Sequence, residues 1–138
     1  MQRLQGYKIA MSENGLNPDT NYIVYPKDYK KLCDSIISKN EPSAIVVAKS
    51  EYAHKIMTIL HKSSIKIPEQ ISIIACNNMP YNDYLFPPLT SIQLPYREMG
   101  SKAVEILIES IENSSTGRNI KVPNKIIERQ SCKELSVV

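Results

Sequence analysis

Two apolar runs constrain this chain most. Residues 43–48 (SAIVVA) are apolar almost without interruption, and residues 70–76 (QISIIAC) nearly so. Runs of that length, without the polar alternation of a half-solvated sheet, are expected of strands covered on both faces in a parallel sheet. Between them Tyr52, Ala53, Ile56, Met57 and Leu60 recur on one side of a helix that Ser50 is placed to cap. A strand, a helix and a second strand joined by short links form the unit of a right-handed parallel crossover. The predicted fold class is therefore α/β, a parallel sheet flanked by helices.

The flanking segments extend the pattern. Leu4, Tyr7, Ala10 and Met11 lie at helical spacing, and Gly15 is placed to end that helix ahead of Asn17-Pro18. Residues 21–25 (NYIVY) form a short β-rich run stopped by Pro26. From Asp28, a candidate N-cap, to Lys39 one clean face is made by Tyr29, Leu32, Cys33, Ile36 and Ile37. After Cys76 the character changes. Residues 77–88 hold Pro80, Pro87 and Pro88 among polar residues and Tyr, and read as a loop. A strand follows at 90–94, then a helix over 98–113 with Met99, Ala103, Ile106, Leu107 and Ile111 on its inner side. A flexible connector comes next, and closing strands are expected at 120–122 and 125–128, turned at Pro123-Asn124.

Composition narrows the functional classes. At 138 residues, 42% apolar and 22% charged, the chain has the content of one globular domain. Its net charge of +3 is spread out, and the densest basic spot, Lys30-Lys31, is a solvated helix face and not a nucleic-acid footprint. Cys33, Cys76 and Cys132 are odd in number and lack C-x-x-C spacing, which points to buried thiols in a reducing compartment. His54 and His61 have no partners at metal-ligand spacing, so neither a metal nor a cofactor is expected. The start lacks the apolar core of a secretory signal and no run is long enough to span a bilayer, so the expected location is the cytoplasm, away from membranes. No G-x-G-x-x-G, G-x-S-x-G or H-E-x-x-H motif is present, and no His stands with a nucleophile, so no catalytic residue is expected and the chain reads as no enzyme.

Six motifs in order carry a resemblance. Arg3-Leu4-x-Gly6-Tyr7 is similar to an R-L-x-G-F/W helix start, and Pro42-Ser43-Ala44-Ile45 with Ala48 to a P-T-A-I-x-x-A-N-D strand. Ile67-Pro68-Glu69-x-Ile71-Ser72-Ile73-Ile74 matches V-P-x-D-I-S-V-V, and Pro87-Pro88-Leu89-Thr90-Ser91-Ile92 matches P-P-L-T-T-I. Met99-Gly100 with Ala103 and Val104 fits the helix that follows, and Ile127-Glu128-Arg129-Gln130-Ser131 a terminal strand ending in R-x-S. Together they resemble the C-terminal part of the effector-binding region of LacI–GalR bacterial repressors, a periplasmic-binding-protein-like fold of two Rossmann-like lobes. The resemblance implies that residues 1–76 form the second-lobe core, that 77–119 cross to the first lobe with a strand and a helix, and that 120–138 return. It implies a small-molecule effector, a sugar or sugar derivative, and a homodimer. Operator DNA would be reached only through an N-terminal helix-turn-helix lying outside the resemblance. A solute-binding protein of a sugar transport system is the alternative on the same fold.

The resemblance also nominates a site. The arginine of R-L-x-G carries over to Arg3, which is otherwise a surface arginine. The strand-end Asn of A-N-D falls on Lys49 and the Asp of G-Y/F-D-D on Asn77, and both are departures. An Asp accepts from two sugar hydroxyls, whereas Asn offers one acceptor and two donors. With Arg3 and Lys49 the inferred pocket becomes more positive. Either the effector is anionic, such as a sugar phosphate or sugar acid, or Lys49 faces solvent or pairs with Glu51 and the sugar is neutral. Tyr25, at the end of its run, and Tyr96 stand where aromatics stack on a sugar ring or fill the core. Asn78 and Tyr81 serve either the ligand or a partner. The dimer contact is expected on the third helix and the following loop, through Tyr52, His54, Ile56, Met57, Tyr81 and Leu85.

Overall fold

The computed structural model describes residues 2–17, 23–39, 41–113 and 117–134. Helix α1 (Gln2–Glu13) leads, and α2 (Tyr29–Lys39) follows a 3-10 turn at Pro26–Asp28. Then come β1 (Ala44–Val47), α3 (Ser50–Lys62), β2 (Ser72–Ala75), a 3-10 turn at Pro80–Tyr84, β3 (Thr90–Gln93), α4 (Tyr96–Glu112) and β4 (Lys125–Ile127). The sheet has four strands in the order β1-β2-β3-β4. β1 and β2 are parallel with Val47 opposite Ala75, β2 and β3 are parallel with Ala75 opposite Ser91, and β4 closes antiparallel on β3. The parallel crossover predicted from the apolar runs is present.

Helix ends follow local chemistry. Gly15 ends α1 at φ 68°, with Gly15 N–H bonding Ser12 O at 3.0 Å and Leu16 N–H bonding Met11 O at 2.9 Å. That pair of bonds is a Schellman motif, which requires the left-handed residue that Gly supplies without strain. α3 ends in the same pair, Ser64 to His61 and Ile65 to Leu60, around Ser64 at φ 60°. At α2 the expected cap does not form: Asp28 sits inside the 3-10 turn and its carboxylate pairs with Lys31 at 3.1 Å.

The core lies on one side of the sheet. Cys33 and Ile36 of α2 and Ala53, Ile56, Met57 and Leu60 of α3 pack on Val47, Ile71, Ile73, Ala75 and Leu89. Burial pushes the Cys33 thiol up to about 11, with the Asp34 charge adding to it. The raised value belongs to the folded state, so this stabilisation is complete below the ordinary value of 9.0 and is lost as pH climbs toward about 11. Native Cys33 should accordingly label with a thiol reagent at pH 8 only at the rate of unfolding, ahead of which the half-buried Cys76 and Cys132 react. Mass spectrometry of a labelling time course checks this.

Four expectations are corrected. Residues 23–25 form no strand, because a β-rich run becomes one only where a neighbour takes its backbone groups, and β1 is the outermost strand. β1 is covered on one face only: Val46 is 62% exposed, since neither α1 nor α4 buries a residue against it. Residues 120–122 form no strand. The strand expected to leave for a first lobe forms as β3, within the sheet of β1 and β2. α4 buries no residue, and its expected inner residues Met99, Leu107 and Ile111 are 45%, 59% and 71% exposed.

Candidate functional site

The carboxyl ends of β1 and β2 lie side by side, tied by Cys76 N–H to Val47 O at 2.8 Å. In an open α/β sheet this edge is where small ligands bind. Arg3 reaches it from α1, and its Nη1 donates to Ala48 O at 3.0 Å. The same guanidinium opposes the burial that raises the Cys76 thiol, so its charge is felt at the end of β2 as well. Lys49 is the residue before α3, extended and exposed, and its side chain makes no hydrogen bond or ion pair with a described residue. Glu51 is engaged by Lys55 at 2.6 Å. That hydrogen bond first, and the Lys55 charge second, hold the Glu51 carboxyl below its ordinary range, with a smaller contribution from Lys49. Of the two alternatives for Lys49, an ion pair with Glu51 does not form and exposure to solvent is what the structure has.

Asn77 has a second role that the sequence did not announce. Its Oδ1 accepts Ser50 N–H at 2.7 Å and its carbonyl accepts the Ser50 hydroxyl at 2.5 Å, across 27 residues. Ser50, expected as the cap, is the first helical residue, and Asn77 caps α3 from the neighbouring strand end. Asn82 completes the cluster, donating to Ser50 Oγ at 3.1 Å and Asn77 O at 3.3 Å, while its own buried Oδ1 has no partner among the described residues. Replacing Asn77 by Ala should cost about 1–2 kcal/mol through the lost cap. Asn77→Asp, whose carboxylate also accepts and suits a helix N-terminus, should cost less than half as much. Urea titrations of both variants measure the difference.

The remaining nominees are placed elsewhere. Tyr25 lines an open pocket of about 600 Å3 along α2 with Ile23, Val24, Asp28 and Leu32, a set that shares no residue with the strand edge. Tyr96 lines another of about 550 Å3 at the start of α4 with Gln93, Leu94 and Arg97. The carboxamide of Asn78 is engaged at both ends: Nδ2 donates to Gln93 Oε1 at 2.7 Å, and Oδ1 accepts from Ser91 Oγ at 2.8 Å and Arg129 Nη2 at 3.0 Å. Asn78 is thus part of the frame.

The expected dimer surface divides. Ile56 and Met57 are each 3% exposed and belong to the core, so they face no partner. Their spacing with Ala53 and Leu60 is what the sheet-facing stripe of α3 requires. Tyr52 packs edge-on against Tyr29 with ring centres 5.9 Å apart, and Leu85 lies against the core. What is outside is aromatic: His54 beside Tyr81 at 6.5 Å and His61 edge-on to Phe86 at 6.1 Å, with Tyr84 at 87% and Phe86 at 81% exposure.

Two residues quoted only as a terminal motif hold the edge in shape. Ser131 Oγ accepts Thr90 N–H at 2.8 Å and donates to Ile73 O at 2.5 Å, joining the starts of β2 and β3. Arg129 spreads over Asp83, Leu89 O, Ser91 and Asn78. The pairing of a fixed arginine with a serine two residues on was the available signal. Among the described residues no group of His, Cys, Asp and Glu is arranged to hold a metal, and no helix is long and apolar enough to cross a membrane.

A mixed sheet with three parallel strands, flanked by helices and carrying a polar, cation-bearing carboxyl edge, defines an α/β lobe. The model of the periplasmic binding protein-like domain matches residues 1–132. The chain is 32% identical over 142 residues to the HTH-type transcriptional repressor PurR of Vibrio atlanticus, covering 99% of this chain and 42% of that protein. It is 30% identical to a probable opine utilization operon repressor of Rhizobium rhizogenes, over 94% of this chain and 69% of that one. The Escherichia coli transcriptional repressor ascG superposes with a TM-score of 0.75 at 26% identity, covering 94% of this chain and 49% of that structure. The chain belongs to the periplasmic binding protein-like domain family, and its match to the relatives falls within bacterial transcriptional repressors. It spans 42% of the length of the PurR relatives it matches. These relatives are a transcriptional repressor and a probable operon repressor.

Proposed function

We propose that the chain is the effector-sensing and dimerisation portion of a LacI-family transcriptional regulator. The observation that carries this reading is the convergence of Arg3, Lys49 and Asn77 on one strand edge, on residues separated by much of the chain. A metabolite binding there would favour one arrangement of two lobes over another. Coupling of that kind is typically worth about 1–3 kcal/mol, so a few contacts suffice to alter operator affinity. Operator contact would belong to a helix-turn-helix of the kind named for the relatives, and a cytoplasmic location goes with that reading. The sheet order and β3's position support a second lobe running through β3, with α4 as the first-lobe element and β4 as the return. A transport solute-binding protein is the less favoured reading because the relatives named here are repressors.

A second copy would pair through the aromatic surface of His54, Tyr81, Tyr84 and Phe86. Isologous pairing also suits the two half-sites of a palindromic operator. Sedimentation should show self-association at working concentration that Phe86→Ser with Tyr84→Ser weakens, whereas a compact, stable monomer counts against it. For the sensor itself, thermal unfolding should rise with at least one member of a panel of sugars, sugar derivatives and nucleobases, by the equivalent of about 2.7 kcal/mol at a hundredfold excess over Kd. Arg3→Ala should abolish the rise. A panel with no stabilising member counts against the reading.

A further inference from the structure

The strand edge offers hydrogen-bond donors and positive charge but almost no free acceptor. Ala48 O is taken by Arg3, Asn77 Oδ1 by Ser50 N–H, and Asn77 O by Ser50 Oγ and Asn82 Nδ2. The groups left without a hydrogen bond to a described residue are donors: the other N–H groups of the Arg3 guanidinium, the Asn77 side-chain amide and the Lys49 ammonium. No carboxylate of a described residue pairs with Arg3 or Lys49, and Glu51, the acidic residue in the first turn of α3, is held by Lys55. The helix behind the edge adds the positive end of its dipole. A neutral sugar's hydroxyls accept as well as donate, but on this edge their O–H groups would be left to water. A carboxylate or phosphate only accepts, and therefore matches a donor-only edge.

Resting on the sensor reading above, we propose that the effector is an anionic metabolite whose carboxylate or phosphate sits against Arg3, Lys49 and the Asn77 amide. A guanidinium bonded to Ala48 O and an ammonium carried by the next residue, Lys49, suit an oxyanion, the first through its planar fork and the second as a point charge. Selectivity over the neutral parent compound comes chiefly from Lys49, and the Asn77 carboxamide avoids the repulsion that a carboxylate would bring.

Amide-detected NMR titration of the chain with glucose, glucose 6-phosphate, gluconate and inorganic phosphate tests this, read at Ala48, Ser50 and Asn77. A charged sugar should bind about tenfold tighter than glucose and tighter than inorganic phosphate, with the preference shrinking as salt is raised. The phosphate and acid arms identify which oxyanion is preferred. Lys49→Asn should remove most of the preference, and Asn77→Asp, which keeps the α3 cap, should reverse it. Glucose binding as tightly as its charged partners, or a preference unchanged in Lys49→Asn, overturns the anion inference and leaves the sensor reading standing. Inorganic phosphate binding as well as glucose 6-phosphate overturns it too, as mere anion attraction. Absence of any shift at those amides with every probe overturns both.

Discussion

Arg129→Ala should lower the unfolding free energy by about 3 kcal/mol, close to the largest single effect available in this chain. The side chain is 10% exposed and makes hydrogen bonds to Asp83 at 2.6 Å, Leu89 O at 2.9 Å, Ser91 Oγ at 3.0 Å and Asn78 Oδ1 at 3.0 Å. Those partners belong to the 3-10 turn, to the entry and first half of β3, and to the loop after β2. The ion pair contributes least, because Asp83 is 59% exposed and water screens it. The cost arises from the Leu89 carbonyl and the buried Ser91 left without their donor. Asp83→Ala should therefore cost under about 1 kcal/mol. Arg129→Lys should fail to rescue, since an ammonium cannot reach several acceptors at the angles of a guanidinium fork. Urea midpoints for the three variants separate these contributions.

Leu60→Ala should cost about 2–5 kcal/mol, while Leu107→Ala, at the same residue type, should change stability by less than about 0.5 kcal/mol. Leu60 is 0% exposed between α3 and the sheet, and truncation leaves a cavity that packed neighbours cannot fill. Leu107 is 59% exposed on α4, where water already meets most of the side chain. Both lie on stripes of helical periodicity that look alike on paper. Paired denaturation curves mark where the core of this chain stops. An equal loss at Leu107 would mean that α4 is covered in solution, by a second copy of the chain.

The resemblance to a repressor lobe was legible because its motifs are local and their spacing is kept. The departures at Lys49 and Asn77 were legible too, as residue types. What they do was not. Asn77 was expected to face a ligand; it lies just past the carboxyl end of β2, and its oxygen is spent on capping α3 at Ser50, 27 residues away. Likewise Ile56 and Met57 satisfied two demands in sequence, the inner stripe of α3 and a partner surface, and a side chain can meet only one of them. The run at 21–25 had strand composition without a strand neighbour, and over its described part, residues 23–25, composition did not prevail.

By itself the sequence determined whatever depends on near neighbours: the periods of the helices, the apolar strands, the Gly15 stop and the chemical types gathered for the site. These follow from side-chain spacing and backbone sterics that act within a few residues. Only the tertiary structure decided which backbone edges meet, which apolar stripe is covered and which polar atoms are already spoken for. A hydrogen bond is exclusive and a buried face has one occupant. Such choices are settled only when distant segments compete for the same space.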